Sequence, residues 1–235
     1  MAPQARALAD DGFTCVTAEY RLSGEAQWPA QLQDVLDVVA WAKREAESLG
    51  VSPDKIALLG GSAGGHLALM AAPHVAAVVA VCAPPELRLP PAEAGPNPSA
   101  EAGPNPIAAL LGSASSEAAA REASPLTHVS EAFPPTCLIG GGCDTLVPPA
   151  AVLTLFAELE AAGVPVDLHI YHGQAHAFDL LPSMIGPVQA EITLFLKRAM
   201  VDPTRYARES ETLNPFARPG PAPLPIPAPL PVGAA

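Results

Sequence analysis

The apolar positions along the chain fall into short continuous runs, separated by longer stretches with apolar residues three and four apart. Residues 13–20 (FTCVTAEY) are rich in β-branched and aromatic side chains, follow the turn-forming pair Asp11-Gly12, and predict a strand. Pro29 stands at an expected first helical position. Behind it Leu32, Val35, Leu36, Val39 and Ala40 mark one face of a helix running to about Leu49, where Gly50 ends it. Residues 56–59 are apolar, too short for a helix, and run straight into a glycine-rich turn, after which residues 67–72 continue as a buried small-residue helix. Residues 75–81 are continuously apolar, the pattern of a strand covered on both faces of a parallel sheet. The alternation resumes with a strand at 136–139, a helix at about 149–162, a strand at 166–171 and a helix at about 188–200. Strands separated by helices of this length are βαβ units, so residues 1–200 predict a three-layer α/β domain with a mostly parallel sheet.

Two stretches break the pattern. In the proline-rich insert at 84–111 the unit EAGPNPSA starts at Glu93, and a near copy starts at Glu101, which reads as a duplicated loop. Residues 201–235 read as a proline-rich tail. From Pro219 to Pro231 every second residue is proline, which favours extended polyproline II over any hydrogen-bonded ladder. Roughly the last twenty residues are expected to be disordered, with docking into a partner's aromatic groove as a further role.

Composition narrows the function classes. The 235 residues are 49% apolar, enough for one domain with a sizeable core, and the 29 prolines are concentrated in the two stretches just named. A net charge of −12 without a visible basic patch argues against nucleic acid or an anionic membrane surface as partner. Residues 1–9 lack a signal-peptide core and no run reaches membrane-spanning length, so the expectation is a soluble, cytoplasmic protein. Cys15, Cys82, Cys137 and Cys143 form no CxxC pair and no metal spacing, and three of them sit in or beside apolar runs, as buried thiols do. No His/Asp/Cys cluster has metal spacing and no glycine loop leads to a helix bearing lysine, so no cofactor is expected.

The chemistry concentrates in Leu59-Gly60-Gly61-Ser62-Ala63-Gly64-Gly65-His66, a G-x-S-x-G turn directly between an apolar strand and a helix. A serine on so sharp a turn projects its hydroxyl, and the N–H of Ala63 then points from a helix start to where a carbonyl oxyanion would form. Serine needs a base, and the base an orienting carboxylate. Asp144 follows the strand at 136–139 and His176 follows the strand at 166–171, both just past strand C-termini, where sites in parallel sheets gather.

The segments YRLSGE (20–25), WPAQLQDV (28–35), the serine turn, SPLTHV (124–129), DTLVPP (144–149) and HAF (176–178) occur in this order. Together they resemble the α/β-hydrolase esterases of the hormone-sensitive-lipase and bacterial feruloyl-esterase-like groups, over about residues 8–200. The resemblance implies Ser62 as nucleophile, His176 as general base and acid, Asp144 as its partner and Ala63 as an oxyanion-hole donor. The substrate it implies is a small carboxylic ester. The Gly-Gly-His spelling also resembles arylformamidases, which leaves amide substrates open.

Those families carry a His-Gly-Gly loop ahead of the strand matching 13–20, and nothing similar precedes Phe13. The expectation is an α/β-hydrolase fold lacking its N-terminal strands, an N-terminally truncated copy that is an active esterase or a weakly active remnant. The strand at 13–20 would then have no neighbour beside residues 56–59, and its exposed edge offers a route to a homo-oligomer. Among the other residues, His66 either faces the site or packs locally. Asp179 is a substitute acid for His176 or a turn residue, Cys143 is on the wrong loop to replace Ser62, and Trp28 and Trp41 read as core or rim aromatics.

Overall fold

A computed structural model of the chain describes residues 2–89 and 105–216. Its centre is a four-stranded, wholly parallel sheet of β1 (Ala57–Gly61), β2 (Ala77–Val81), β3 (Thr136–Gly141) and β4 (Val166–Tyr171), in the spatial order β1-β2-β3-β4. The register pairs Leu59 with Val79, Val79 with Cys137 and Cys137 with Asp167. Strand order and chain order agree, so each crossover moves one place along the sheet.

Side-chain alternation divides the core in two. Val78, Ala80 and Leu138 face α2 (Ala30–Arg44), α3 (Ala63–Met70) and α6 (Pro149–Ala161), where they pack with Val39, Leu69 and Leu155. Val79, Val81, Cys137 and Ile139 face the other way, toward Leu8 of α1 (Ala2–Asp10) and Ile192 and Phe195 of α7 (Pro182–Leu196). This explains why β2, AVVAV, is apolar at every position and buried at every position. A smaller cluster of Leu87, Leu111, Ala120 and Ala123 joins α4 (Pro106–Leu111) to α5 (Glu117–Glu122) and packs on Trp28. Asn105 caps α4 by accepting from the N–H groups of Ile107 and Ala108, and Ser116 caps α5 through the N–H of Ala119.

Residues 13–20 form no strand, which corrects the expectation from their composition. No described strand lies alongside them, and a ladder needs a neighbour to receive its N–H and C=O groups. Val16 is half exposed and Leu22 more so. Phe13 still packs on the α1–α7 side, and Arg21 fixes the far end of the segment to α2. Its backbone N–H donates to Asp34 Oδ2 (2.8 Å) and its Nη2 to Asp34 Oδ1 (2.7 Å) and the Ala30 carbonyl (3.3 Å). Those donors, the side-chain ones first, hold the Asp34 carboxyl below its usual range.

The expected helix at 188–200 starts earlier, at Pro182, and runs through Pro187 before a π-type turn over Lys197–Val201. Pro182 costs nothing at the first helical position, and Pro187 lies close enough to the start to disturb few bonds. The tail expected from 201 begins instead as helix α8 (Pro203–Leu213), capped by Asp202, whose Oδ1 accepts from the Arg205 N–H at 2.9 Å. The repeat starting at Glu93 and the alternating-proline stretch lie outside the described residues, and no described helix is long and apolar enough to cross a membrane.

Leu69, a fully buried residue of α3, anchors the larger core cluster. Leu69→Ala is expected to lower stability in urea unfolding by about 2–5 kcal/mol. Leu153→Ala, on an exposed position of α6, should change it by less than about 0.5 kcal/mol.

Candidate active site

The site is built where β1 turns into α3. Ser62 occupies the turn at φ 51°, ψ −119°, a conformation costly for a residue with a side chain and held here by its surroundings. Its N–H donates to the Val81 carbonyl at 2.8 Å, and its own carbonyl accepts from the His66 N–H at 3.0 Å, the first bond of the helix. The helix folds back so closely that a Cβ on Gly60 would run into the backbone of Gly64. A Cβ on Gly65 would sit 2.7 Å from the Ala83 Cβ and 2.9 Å from the Gly60 carbonyl oxygen. Gly64 is different. The nearest atom to its Cβ would be the Tyr20 hydroxyl at 3.9 Å, so the turn requires Gly60 and Gly65 more than the last glycine of the G-x-S-x-G pattern.

Three loops past the ends of β1, β3 and β4 bring Ser62, Asp144 and His176 together. His176 Nδ1 lies 2.7 Å from Asp144 Oδ2, and Nε2 lies 2.8 Å from Ser62 Oγ. Because the carboxylate can only accept, Nδ1–H donates to it, which leaves Nε2 to accept the serine hydroxyl. The other carboxylate oxygen, Oδ1, accepts from the N–H groups of Leu146 and Val147, both at 2.9 Å. The Asp144 side chain is fully buried with all its contacts satisfied, so it cannot turn away from the histidine. His176 keeps part of its surface open, and Ser62 is partly exposed. Ala63 is the first residue of α3, where N–H groups have no intrahelical partner, and is exposed beside Ser62.

A cavity of about 200 Å³ opens beside the serine, lined by Ser62, Val81, Cys82, Ala177, Asp179 and Leu180, among others. Cys82, not singled out from the sequence as a site residue, directly follows β2 at φ 48°, and Ala177 next to the histidine has φ 58°. The available signal for Cys82 was its place just beyond a strand C-terminus. Burial pushes its thiol up to about 11. Cys82, Asp144 and His176 are the one group among the described residues whose ligand-type atoms, all within 4.8 Å, come close enough to hold a metal ion. Two of those groups already bond each other and the thiol keeps its proton, a donor set suited to the triad rather than to a cation.

His66 does not face the serine. It is buried, its Nε2–H donates to the Ala123 carbonyl at 2.7 Å, and its ring meets Trp28 edge-on, tying α3 to the end of α5. Burial, opposed by that hydrogen bond, lowers its basicity. Asp179 is buried and accepts from Gln4 Nε2 at 2.8 Å, and Cys143 is exposed on the aspartate loop.

Sheet, serine turn and hydrogen-bonded triad define a protein of the α/β class built around a nucleophile elbow. The chain belongs to the family described as alpha/beta hydrolase fold, whose family model matches residues 3–180. It is 30% identical over 191 residues to the Mycobacterium tuberculosis protein named "Probable carboxylic ester hydrolase LipM", covering 75% of this chain and 44% of that one. It is 26% identical over 224 residues to esterase LipC of the same organism, covering 86% of this chain and 54% of that one. The chain thus spans about half the length of these curated relatives. Among solved structures, Thermogutta terrifontis esterase 2 phosphonylated by sarin superposes with a TM-score of 0.70 at 22% identity, covering 83% of this chain and 76% of that one.

Two predictions follow from the turn and from His66. Gly60→Ala and Gly65→Ala should each destabilise by about 1–3 kcal/mol or more through overpacking, while Gly64→Ala stays near the parent in thermal unfolding. A histidine whose folded-state pKa is depressed contributes stability that is complete above its unfolded value and lost as pH falls through about 6.5 and below. The melting temperature should therefore drop between pH 7.5 and pH 5, and His66→Gln should shrink that drop.

Proposed function

We propose that the chain hydrolyses small carboxylic esters through an acyl-enzyme formed on Ser62. The observation that carries this reading is the unbroken chain Asp144–His176–Ser62, at 2.7 and 2.8 Å, on a turn that projects the hydroxyl toward an open cavity. His176 Nε2 takes the serine proton as Oγ attacks the ester carbonyl, then returns it to the leaving alcohol. Asp144 holds the ring in the tautomer that makes Nε2 the base and stabilises the imidazolium. The tetrahedral oxyanion forms at the start of α3, within reach of the free N–H of Ala63 and favoured by the helix dipole. Water then enters along the alcohol's path, is deprotonated by the same nitrogen and releases the acid. The names of the relatives point to the same reaction, and the acyl and alcohol preferences are set by the cavity rather than by the triad.

The test is fluorophosphonate labelling beside hydrolysis of a p-nitrophenyl ester series and of an aryl formamide. The parent should label and turn over the short esters. Ser62→Ala should lose labelling and roughly 10⁴-fold or more in turnover, and Asp144→Asn should lose about 10⁴-fold with its melting temperature close to the parent's. A folded parent that neither labels nor turns over esters would overturn the proposal. Faster turnover of the formamide than of any ester would move it to amides.

A further inference from the structure

We propose that Gln4 and Asp179 are positioning residues for the reaction at Ser62: their bond ties the loop carrying His176 to α1 and so holds Nε2 against the serine. The inference rests on the hydrolase reading of Ser62. His176 stands in the loop between the end of β4 and the start of α7. Upstream of it the Cys143 N–H donates to the Gln174 carbonyl at 2.8 Å, which joins this loop to that of Asp144. Downstream the chain passes through Ala177 at φ 58°, a left-handed conformation that a residue with a Cβ keeps only where its surroundings impose it. Phe178 is buried against Tyr171, but apolar packing is non-directional and sets depth rather than orientation. Orientation comes from the next residue. Gln4 Nε2 donates to Asp179 Oδ2 at 2.8 Å and lies 3.5 Å from the Asp179 carbonyl oxygen, so one amide meets both side chain and backbone of the loop. The two residues are 1% and 4% exposed, where the low dielectric strengthens such a bond.

Stability alone gives no reason for this pair. Gln4 lies one helical turn before Leu8, on the face of α1 that packs against the core, where an apolar residue would bury without loss. Instead Gln4 buries an amide whose Oε1 has no partner among the described residues. Asp179 buries a carboxyl, and burial pushes it above the usual range, against the pull of its own N–H and of Gln4. Two buried polar groups, each less well served than an apolar residue would be, are expected where their bond does something besides stabilise the fold. This bond fixes the chain three residues past His176. Proton transfer depends on the 2.8 Å contact of Nε2 with Ser62 Oγ, and a small displacement of the loop would remove it.

The experiment measures kcat and KM on p-nitrophenyl butyrate, the rate of fluorophosphonate labelling and the melting temperature, all on the full chain. Gln4→Leu combined with Asp179→Leu removes the bond and leaves neither partner buried and unpaired, so the melting temperature should match or exceed the parent's. The kcat and the labelling rate should nonetheless fall together by about ten- to a hundredfold, with KM changed by less than about threefold. The conservative Asp179→Asn keeps an acceptor for Gln4 and should restore both rates to within about threefold of the parent. A double variant that folds and keeps the parent's rates would overturn the inference, as would a loss expressed in KM alone. So would an Asp179→Asn variant as slow as the double variant, since the effect would then belong to the charge. Should the double variant not fold, Gln4→Met, which breaks the bond at nearly constant volume, decides between the same outcomes. A parent that takes up no fluorophosphonate and hydrolyses no ester would instead bring down the hydrolase reading, and this inference with it.

Discussion

The structure turns on one close approach, that of α3 to β1 at Ser62. The chain reverses from strand to helix over a single residue, and Gly60 and Gly65 have no side chain because backbone occupies the space. The serine absorbs the conformational cost with its φ of 51°, and its neighbours hold it there through bonds to Val81 and His66. From that approach follow the projection of the hydroxyl, the orientation of the first N–H groups of α3, and the packing of Leu69 under the sheet. The buried His66 then extends the constraint, carrying α3 to the α4–α5 cover through Ala123.

The second half of the site is fixed by a different device. Asp144 is immobilised by two backbone donors on one oxygen and the histidine on the other, while the histidine keeps some exposure. The rigid Asp144, the partly open His176 and the strained Ser62 are each set by their own loop, and the parallel sheet supplies the common frame. That division lets the cavity wall vary: Leu180 and Asp179 follow the histidine but form no part of the hydrogen-bonded chain.

Much of this was legible in the sequence because the relevant signals are local. Continuous apolar runs bounded by turns marked all four sheet strands, the period expected from Pro29 to about Leu49 marked α2 although the helix ends at Arg44, and the glycine-flanked serine marked the elbow. Asp144 and His176 could be placed because each follows a strand that could be placed. The failures were of two physical kinds. Residues 13–20 have the side chains of a strand, but a strand exists only with a neighbour, and no amount of β-propensity in FTCVTAEY supplies one. Residues 182–187 and 203–213 were not read as helix, although Pro182 and Pro203 stand at first helical positions where proline is tolerated, and so α8 and the start of α7 were missed. The Gln4–Asp179 contact spans 175 residues of chain, and local pattern carries no information at that range.

The serine and the histidine that meet at 2.8 Å are 114 residues apart, and the sheet that joins them is assembled strand by strand in chain order. Ser62 follows the first of its strands and His176 the last. During synthesis Ser62 therefore emerges long before His176, on a strand whose partners do not yet exist. Parallel pairings of this separation form late, since loop closure must be overcome before any contact compensates. The hydrogen-bonded chain Asp144–His176–Ser62 thus closes only with the last strand, and any partly folded species, or any nascent chain released early, lacks it. The site is thus completed only when the sheet is.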